Sequence, residues 1–319
     1  MIFILGAPRS GTTWIGKIFD SHPDVLYRHE PDSIVINTEI PFRLEKNEAG
    51  KYLNQAIEYV DTLKNVHSPK SSCSLPVFRK SYRSAGVNAI YPALIYTIKA
   101  MHSRLGFIPF MGKLQVPDLI RPDKQEDLVP VIKSVNSLCR AHLFLQCGED
   151  IKIIHIIRHP CGFVASRLRG IRLNLMGGSV FLRDLSRMPL TREHGYTLEK
   201  LESLTPEEQL AFQWMISNEK TMKDLEGHPR YRVVVYEEIC LDPLKQIMDL
   251  FQFSGLDWSL QTKAFLDRCE ENPKGDGSYF NVIRSPQKAA FRWKKELESS
   301  QIDRIMNLVA NSKPGSLFI

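Results

Sequence analysis

The chain has 319 residues, with 42 Lys and Arg against 36 Asp and Glu, a formal charge of +6; 43% of its residues are apolar and 24% charged. These are ordinary globular values and exclude wholesale disorder, collagen-like repeats and low-complexity architecture. Mild basicity suits an anionic ligand, and the absence of a Lys/Arg-rich run gives no support for nucleic acid.

Short apolar runs alternate with helical patterns along the chain, the signature of a layered α/β fold with a largely parallel sheet. Ile2–Gly6 reads as a first strand, and Thr12 to Asp20 as a helix with Trp14, Ile15, Ile18 and Phe19 apolar. Residues 40–110 read as helix and loop, and within them the apolar stretch 86–98 is broken by Asn88 and Pro92 and is too short to span a bilayer. Phe110–Val116 is a weaker strand candidate. Lys152–Ile157 (KIIHII) has the continuous apolar character of a strand buried on both faces. Arg232–Tyr236 is a β-branched strand. Helix starts are signalled by the Thr205-Pro206-Glu207-Glu208 capping box, by Pro243 and by Ser285-Pro286. Residues 1–319 are read as one domain, with excursions at about 40–110 and 171–205, where acceptor specificity would be built. Cys73, Cys139, Cys147, Cys161, Cys240 and Cys269 form no C-x-x-C pair and no zinc spacing, so reduced thiols and no metal site are expected.

The sharpest local feature is Gly6-Ala7-Pro8-Arg9-Ser10-Gly11-Thr12-Thr13-Trp14, entered by a strand and left by a helix. Such a turn gathers backbone N–H groups and the positive end of a helix dipole around one point, which holds a phosphate or sulfate. Its spacing is a near miss to G-x-x-x-x-G-K-[ST]: Thr12 stands where the lysine would be, and the cation is Arg9. The clearest buried strand ends in Arg158-His159-Pro160 rather than in a Mg²⁺-binding acid. The loop therefore reads a terminal anion without the support for nucleoside triphosphate hydrolysis.

At this point PRSGTTW resembles the 5′-phosphosulfate loop of the sulfotransferases that use 3′-phosphoadenosine 5′-phosphosulfate (PAPS). Arg158 and Ser166, eight apart after the KIIHII strand, are similar to that family's pair for the donor's 3′-phosphate. VVVYEEICLDP is similar to a further family segment, and FDSHPDVLYRHEP resembles the branch that sulfates carbohydrates and protein tyrosines. These anchors cover about a quarter of the chain. The resemblance implies a P-loop NTPase-like three-layer fold with a central, mostly parallel sheet flanked by helices. It also implies PAPS as co-substrate, 3′,5′-adenosine bisphosphate (PAP) as product and no metal requirement.

The resemblance further implies that Arg9, Ser10, Gly11, Thr12 and Thr13 hold the phosphosulfate, with Trp14 against adenine, and that Arg158 and Ser166 hold the 3′-phosphate. Arg284 and Lys288 are candidates to reach the donor from the C-terminal region, the competing reading of Lys288 being a solvated helix face. Glu30, 21 residues beyond Arg9, is implied as the base. An unperturbed glutamate is a weak base for a hydroxyl, and partial burial is expected to raise its pKa. Its competing reading is a surface or N-cap carboxylate. His29 should point away from Glu30 if the segment is extended, and His22 reads as structural. Lys113, followed at a distance by Pro117, resembles a family Lys-x-Pro lysine that neutralises the bridging oxygen, although the family spacing is tighter.

Six arginines between Ser166 and Arg192 (Arg167, Arg169, Arg172, Arg183, Arg187 and Arg192), with Asp184 the one acid among them, suggest an anionic acceptor if some of them line the cleft; the rival explanation is a partly solvated loop whose charges serve the donor's phosphates or solubility. The expected activity is sulfuryl transfer to an acceptor hydroxyl, foremost on a glycan, with protein tyrosine or a small molecule as alternatives. A kinase-like phosphotransferase and a non-catalytic nucleotide-binding module remain rival readings. No membrane span is expected in this chain. Location is expected to be cytoplasmic if Met1 is the native start, and Golgi-lumenal if an N-terminal anchor was removed.

Overall fold

The computed structural model describes residues 1–105, 114–177, 180–271, 283 and 285–319. Five strands form one parallel sheet in the order β2-β3-β1-β4-β5. They are β1 (Ile2–Leu5), β2 (Val25–His29), β3 (Val129–Ser134), β4 (Lys152–Ile157) and β5 (Tyr231–Val235). Helices cover both faces, so the sheet carries apolar residues in both directions. Along β1, Ile2 and Ile4 join the core beneath α1 (Thr12–Asp20), while Phe3 and Leu5 face the opposite core with Tyr59, Leu63 and Phe144. The fold expected from the resemblance is the fold observed.

Two strands differ from the sequence expectation. Leu114–Val116 form no strand, and residues 106–113, including most of the Phe110–Val116 candidate, lie outside the described residues. The sheet is instead completed by β2 and β3. β2 carries a buried Arg28, whose charge is met by Asp118 through two bonds of 2.9 and 2.6 Å. Pairing two ions in this way offsets much of the desolvation cost that would otherwise keep an arginine out of a strand.

α1 begins where its glycine-rich entry ends. Ile15, Ile18 and Phe19 are fully buried against the sheet, a burial contributing about 1.5–3 kcal/mol for each such side chain. Gly16 faces the Tyr27 ring of β2; a Cβ there would lie 2.5 Å from the Tyr27 hydroxyl. The turn after α1 is pinned by two buried lysines. Lys80 Nζ donates to the carbonyls of Asp20, His22 (3.1 Å) and Val25 (2.8 Å), and Lys17 and Lys80 both pair with the Asp20 carboxylate. This network sets the direction in which β2 returns toward the loop.

Between β2 and β3 lie the helices Leu53–Lys64 and Ala85–Leu105, and between β4 and β5 lie α2 (Pro160–Arg172) and α3 (Pro206–Asp224), separated by three short helices. The Thr205 capping box forms as expected, and Asp242 caps the helix that opens at Pro243. Among the described residues no helix is long and apolar enough to cross a membrane. Cys147 is partly exposed and the other five thiols are buried, all unbridged.

Candidate active site

The loop 6–13 leaves the C-terminal end of β1 at the centre of the sheet. Gly6 is required by close packing: a Cβ would meet the Ile156 carbonyl at 2.6 Å. The Ser10 N–H donates to the Ala7 carbonyl at 3.1 Å, closing the turn. Arg9 (φ 75°) and Gly11 (φ 88°) are both left-handed, and a Cβ on Gly11 would collide with the Tyr236 ring at 2.2 Å. Beyond Gly11, the N–H groups of Thr12 and Thr13 lie in the first turn of α1, where helix geometry supplies no acceptor. Nine-residue α1 has no side-chain cap and no acid in its first turn, so its positive end is open to an anion.

The second motif meets the first. Arg158, just past β4, donates from Nη1 to the Arg9 carbonyl at 3.1 Å and from Nη2 to the Ala289 carbonyl at 2.8 Å. Its Nε lies 3.9 Å from Glu237, and its guanidinium lies over the Tyr236 ring at 5.2 Å. Gly162 leaves room for it, since a Cβ there would sit 2.8 Å from Arg158 Nε. Ser166, one further turn along α2, accepts from Arg9 Nε at 3.2 Å. Two segments about half the chain apart are thus joined directly.

A third group converges from β2 and β3. Glu30 follows β2 in a left-handed conformation (φ 46°), its N–H donating to the Lys133 carbonyl at 2.8 Å and its carboxylate paired with the buried Lys133 ammonium at the end of β3. Burial pushes the Glu30 carboxyl up, but Lys133 and the other nearby positive groups outweigh it and hold the group below the ordinary glutamate value. The expected upward shift is therefore reversed. Burial draws Lys133 down, with Glu30 opposing. The left-handed turn at Glu30 also breaks the alternation expected of an extended segment, so His29 and Glu30 border the same cavity. Burial and then Lys133 take the His29 imidazole down to about 3, leaving it neutral. Next to them, buried Asp32 accepts from Ser134 and from Ser137 (2.7 Å), which ties the Glu30 turn to the end of β3.

All three groups border one cavity of about 740 Å³, lined by Arg9, Gly11, Thr12, Thr13, Trp14, Arg158, Glu30 and Lys133 among others. Ser10 and Ser166 are buried and are not part of this lining. Trp14 borders the cavity while packing edge-on against Tyr236, with ring centroids 6.2 Å apart. Pro286 and Ala289 reach the cavity, whereas Lys288 between them is exposed and outside its lining. Lys113 and Arg284 lie outside the described residues. Lys133, which sequence reasoning overlooked, stands at the corresponding strand end: an apolar run, Val-Pro-Val-Ile, delivers it there as KIIHII delivers Arg158.

The remaining candidates are dispersed. His22 is held by the Asp257 carbonyl at 3.0 Å, and His159 stacks on Trp293. Of the six arginines, Arg169 is paired with Glu296, Arg172, Arg183 and Arg192 are exposed, and Arg167 and Arg187 line a neighbouring cavity of about 860 Å³ that shares Pro8 and Val135 with the first.

The sulfotransferase family model matches residues 2–259 of this chain. Carbohydrate sulfotransferase 1 of Danio rerio is 22% identical over 328 residues, spanning 95% of this chain and 74% of the relative. Carbohydrate sulfotransferase 6 of Homo sapiens is 23% identical over 335 residues, spanning 98% and 78%. Among solved structures, a mouse sulfotransferase complexed with PAP covers 99% of this chain and 86% of its own at 14% identity, with a TM-score of 0.45. The chain belongs to the sulfotransferase family.

Proposed function

We propose that this member of the sulfotransferase family moves a sulfuryl group from PAPS to a hydroxyl of a glycan. The observation that carries the reading is the junction of Arg9 with Arg158 and Ser166 at the edge of the cavity that also holds Glu30 and Lys133. The open N-terminus of α1, the left-handed loop and a lining rich in cations suit a donor with phosphate at two positions. The glycan assignment draws on the carbohydrate sulfotransferases among the relatives.

Arg9 and the N–H groups of Thr12 and Thr13 would hold the phosphosulfate, and Arg158 with Ser166 the 3′-phosphate. The donor supplies the sulfuryl group. Glu30, kept anionic by Lys133, orients the acceptor hydroxyl and takes its proton as the new O–S bond forms. Lys133 and Arg9 then stabilise the charge that the breaking S–O bond leaves on the phosphate. Lys133 takes the neutralising role that the resemblance suggested for Lys113. A carboxylate of low pKa is a weak base, so its proton transfer belongs late in the reaction, and in-line positioning carries most of the catalysis.

The reading is tested by following labelled sulfate from PAPS onto a panel of glycans, tyrosine peptides and phenols. Transfer to glycans alone is expected. Magnesium-dependent ATP turnover, or binding of PAP without transfer to any acceptor, would overturn it.

A further inference from the structure

The order of the sheet provides a ruler across the cavity. Arg158 follows β4 and Glu30 follows β2, with β1 and β3 between them. Three strand spacings separate the two ends, about 14 Å. On the proposed function the donor occupies the β4–β1 part, with Arg158, Arg9 and Lys133 facing its anions. The same cavity is also lined by Lys70, Lys99 and His102; the short helix Pro69–Ser72 that carries Lys70 packs on β2, and the helix Ala85–Leu105 that carries Lys99 and His102 packs on that short helix.

Among the described residues, two of these lining lysines have no partner to serve. Lys70 is on the short helix Pro69–Ser72, Lys99 on the helix Ala85–Leu105, and both are exposed at the cavity wall. Neither makes an ion pair or side-chain hydrogen bond among the described residues. Lys17 nearby is different: it is consumed by Asp20, by the Ser74 carbonyl (3.1 Å) and by the Pro76 carbonyl (2.6 Å). Glu30, the acid in this cavity lining, is already committed to Lys133. Lys70 is close enough for its charge to bear on both Glu30 and His29. Two ammonium groups carried by elements on the β2 side of the sheet, away from Arg158 at the end of β4, leave positive charge for a bound anion to meet.

We propose that Lys70 and Lys99 form an anion subsite for the acceptor, so that the hydroxyl delivered to Glu30 belongs to a glycan carrying a carboxylate or sulfate near the reacting carbon. This rests on the proposed transferase reading. The subsite fixes the acceptor by its charge while Glu30 reads its hydroxyl. Neutralising Lys70 also removes one of the cations that hold the Glu30 carboxyl down, so a bound acidic acceptor makes Glu30 a stronger base.

The test is calorimetric, on the full chain. PAP binding is measured first. A hexasaccharide of alternating glucuronate and N-acetylhexosamine is then titrated into the PAP-saturated protein, beside the same hexasaccharide with its carboxylates reduced to alcohols and an acidic tyrosine peptide. Lys70→Gln and Lys99→Gln should each weaken the acidic sugar about tenfold, as expected for losing a charged contact. They should leave PAP affinity and the weak binding of the reduced sugar unchanged. Equal binding of the two sugars, preference for the peptide, or a parallel loss of PAP affinity in the variants overturns the subsite. Failure of the native protein to bind PAP at all would instead strike the transferase reading, and the subsite with it.

Discussion

Arg158 donates through Nη1 to the main-chain carbonyl of Arg9, 149 residues away, at 3.1 Å. The same guanidinium spans to Ala289 at 2.8 Å, so one side chain braces the anion loop against the C-terminal region. A lysine supplies one ammonium in place of this planar fork and cannot reproduce both bonds in their geometry. Arg158→Lys should keep the fold but lower PAP affinity tenfold or more, about 1.4 kcal/mol or greater. Calorimetry against PAP, with thermal melting as the control for folding, checks it; unchanged affinity would remove Arg158 from the donor site.

Glu30 and Lys133 make opposite predictions for pH. Glu30→Gln removes the proton acceptor and should lower turnover by about 10²–10⁴-fold while PAP still binds. Lys133→Met leaves the carboxylate in place but strips the main charge that offsets its burial. The carboxyl then titrates higher, and the acid limb of kcat should move to higher pH, alongside a loss of about 10²–10³-fold from poorer stabilisation of the departing phosphate. An acid limb that stays in place in Lys133→Met would separate it from Glu30.

Gly11 sits at φ 88° with the Tyr236 ring where its Cβ would be. Gly11→Ala must either push Tyr236 away, disturbing the ring beneath Arg158, or leave the left-handed region. Both distort the loop, so PAP affinity should fall more than tenfold. Gly50→Ala, at a glycine with open space around it, is the matched control and should bind PAP as the native chain does. Equal affinity in the two variants would mean that the loop tolerates the side chain.

The elements that local pattern specifies were legible in the sequence: β1, α1, β4 and β5, the capping box at Thr205, and the two motifs that the structure joins at Arg9, Arg158 and Ser166. β2 and β3 were not. Their polar positions have partners that pairing alone reveals: Arg28 is answered by Asp118, 90 residues on, and Lys133 by Glu30, 103 residues back. For the same reason Lys133 went unremarked, although the apolar run before it resembles the one that leads to Arg158. The direction of the Glu30 shift was likewise hidden. Burial could be anticipated from the segment, whereas the ammonium that outweighs it comes from a strand far along the chain. The left-handed conformation at Glu30, which brings His29 to the same cavity, has no local glycine to announce it.

His155 links β4 to its neighbours and gives the fold a dependence on pH that is independent of catalysis. It is fully buried, with Nδ1 2.8 Å from the Tyr231 hydroxyl and Nε2 2.9 Å from Asn218 Oδ1. The Asn218 amide nitrogen is engaged with the Trp214 carbonyl at 2.7 Å, so Oδ1 is an acceptor. Nε2 therefore carries the proton, and Nδ1 accepts from Tyr231. Burial draws the imidazole down to about 4 in the folded chain, against 6.5 for an ordinary histidine, with the Asn218 bond opposing. Between those values the unfolded chain binds a proton that the folded chain does not. Stability should be fully retained above pH 6.5 and lost as the pH falls toward 4, this group adding a slope of about 1.4 kcal/mol per pH unit. Urea denaturation at pH 7, 6 and 5 measures the slope. His155→Gln retains an amide donor for Asn218 but has no such proton to take up, so its stability should be lower at pH 7 and its decline between pH 6 and 5 shallower. A decline parallel to that of the native chain would assign the acid sensitivity to other groups.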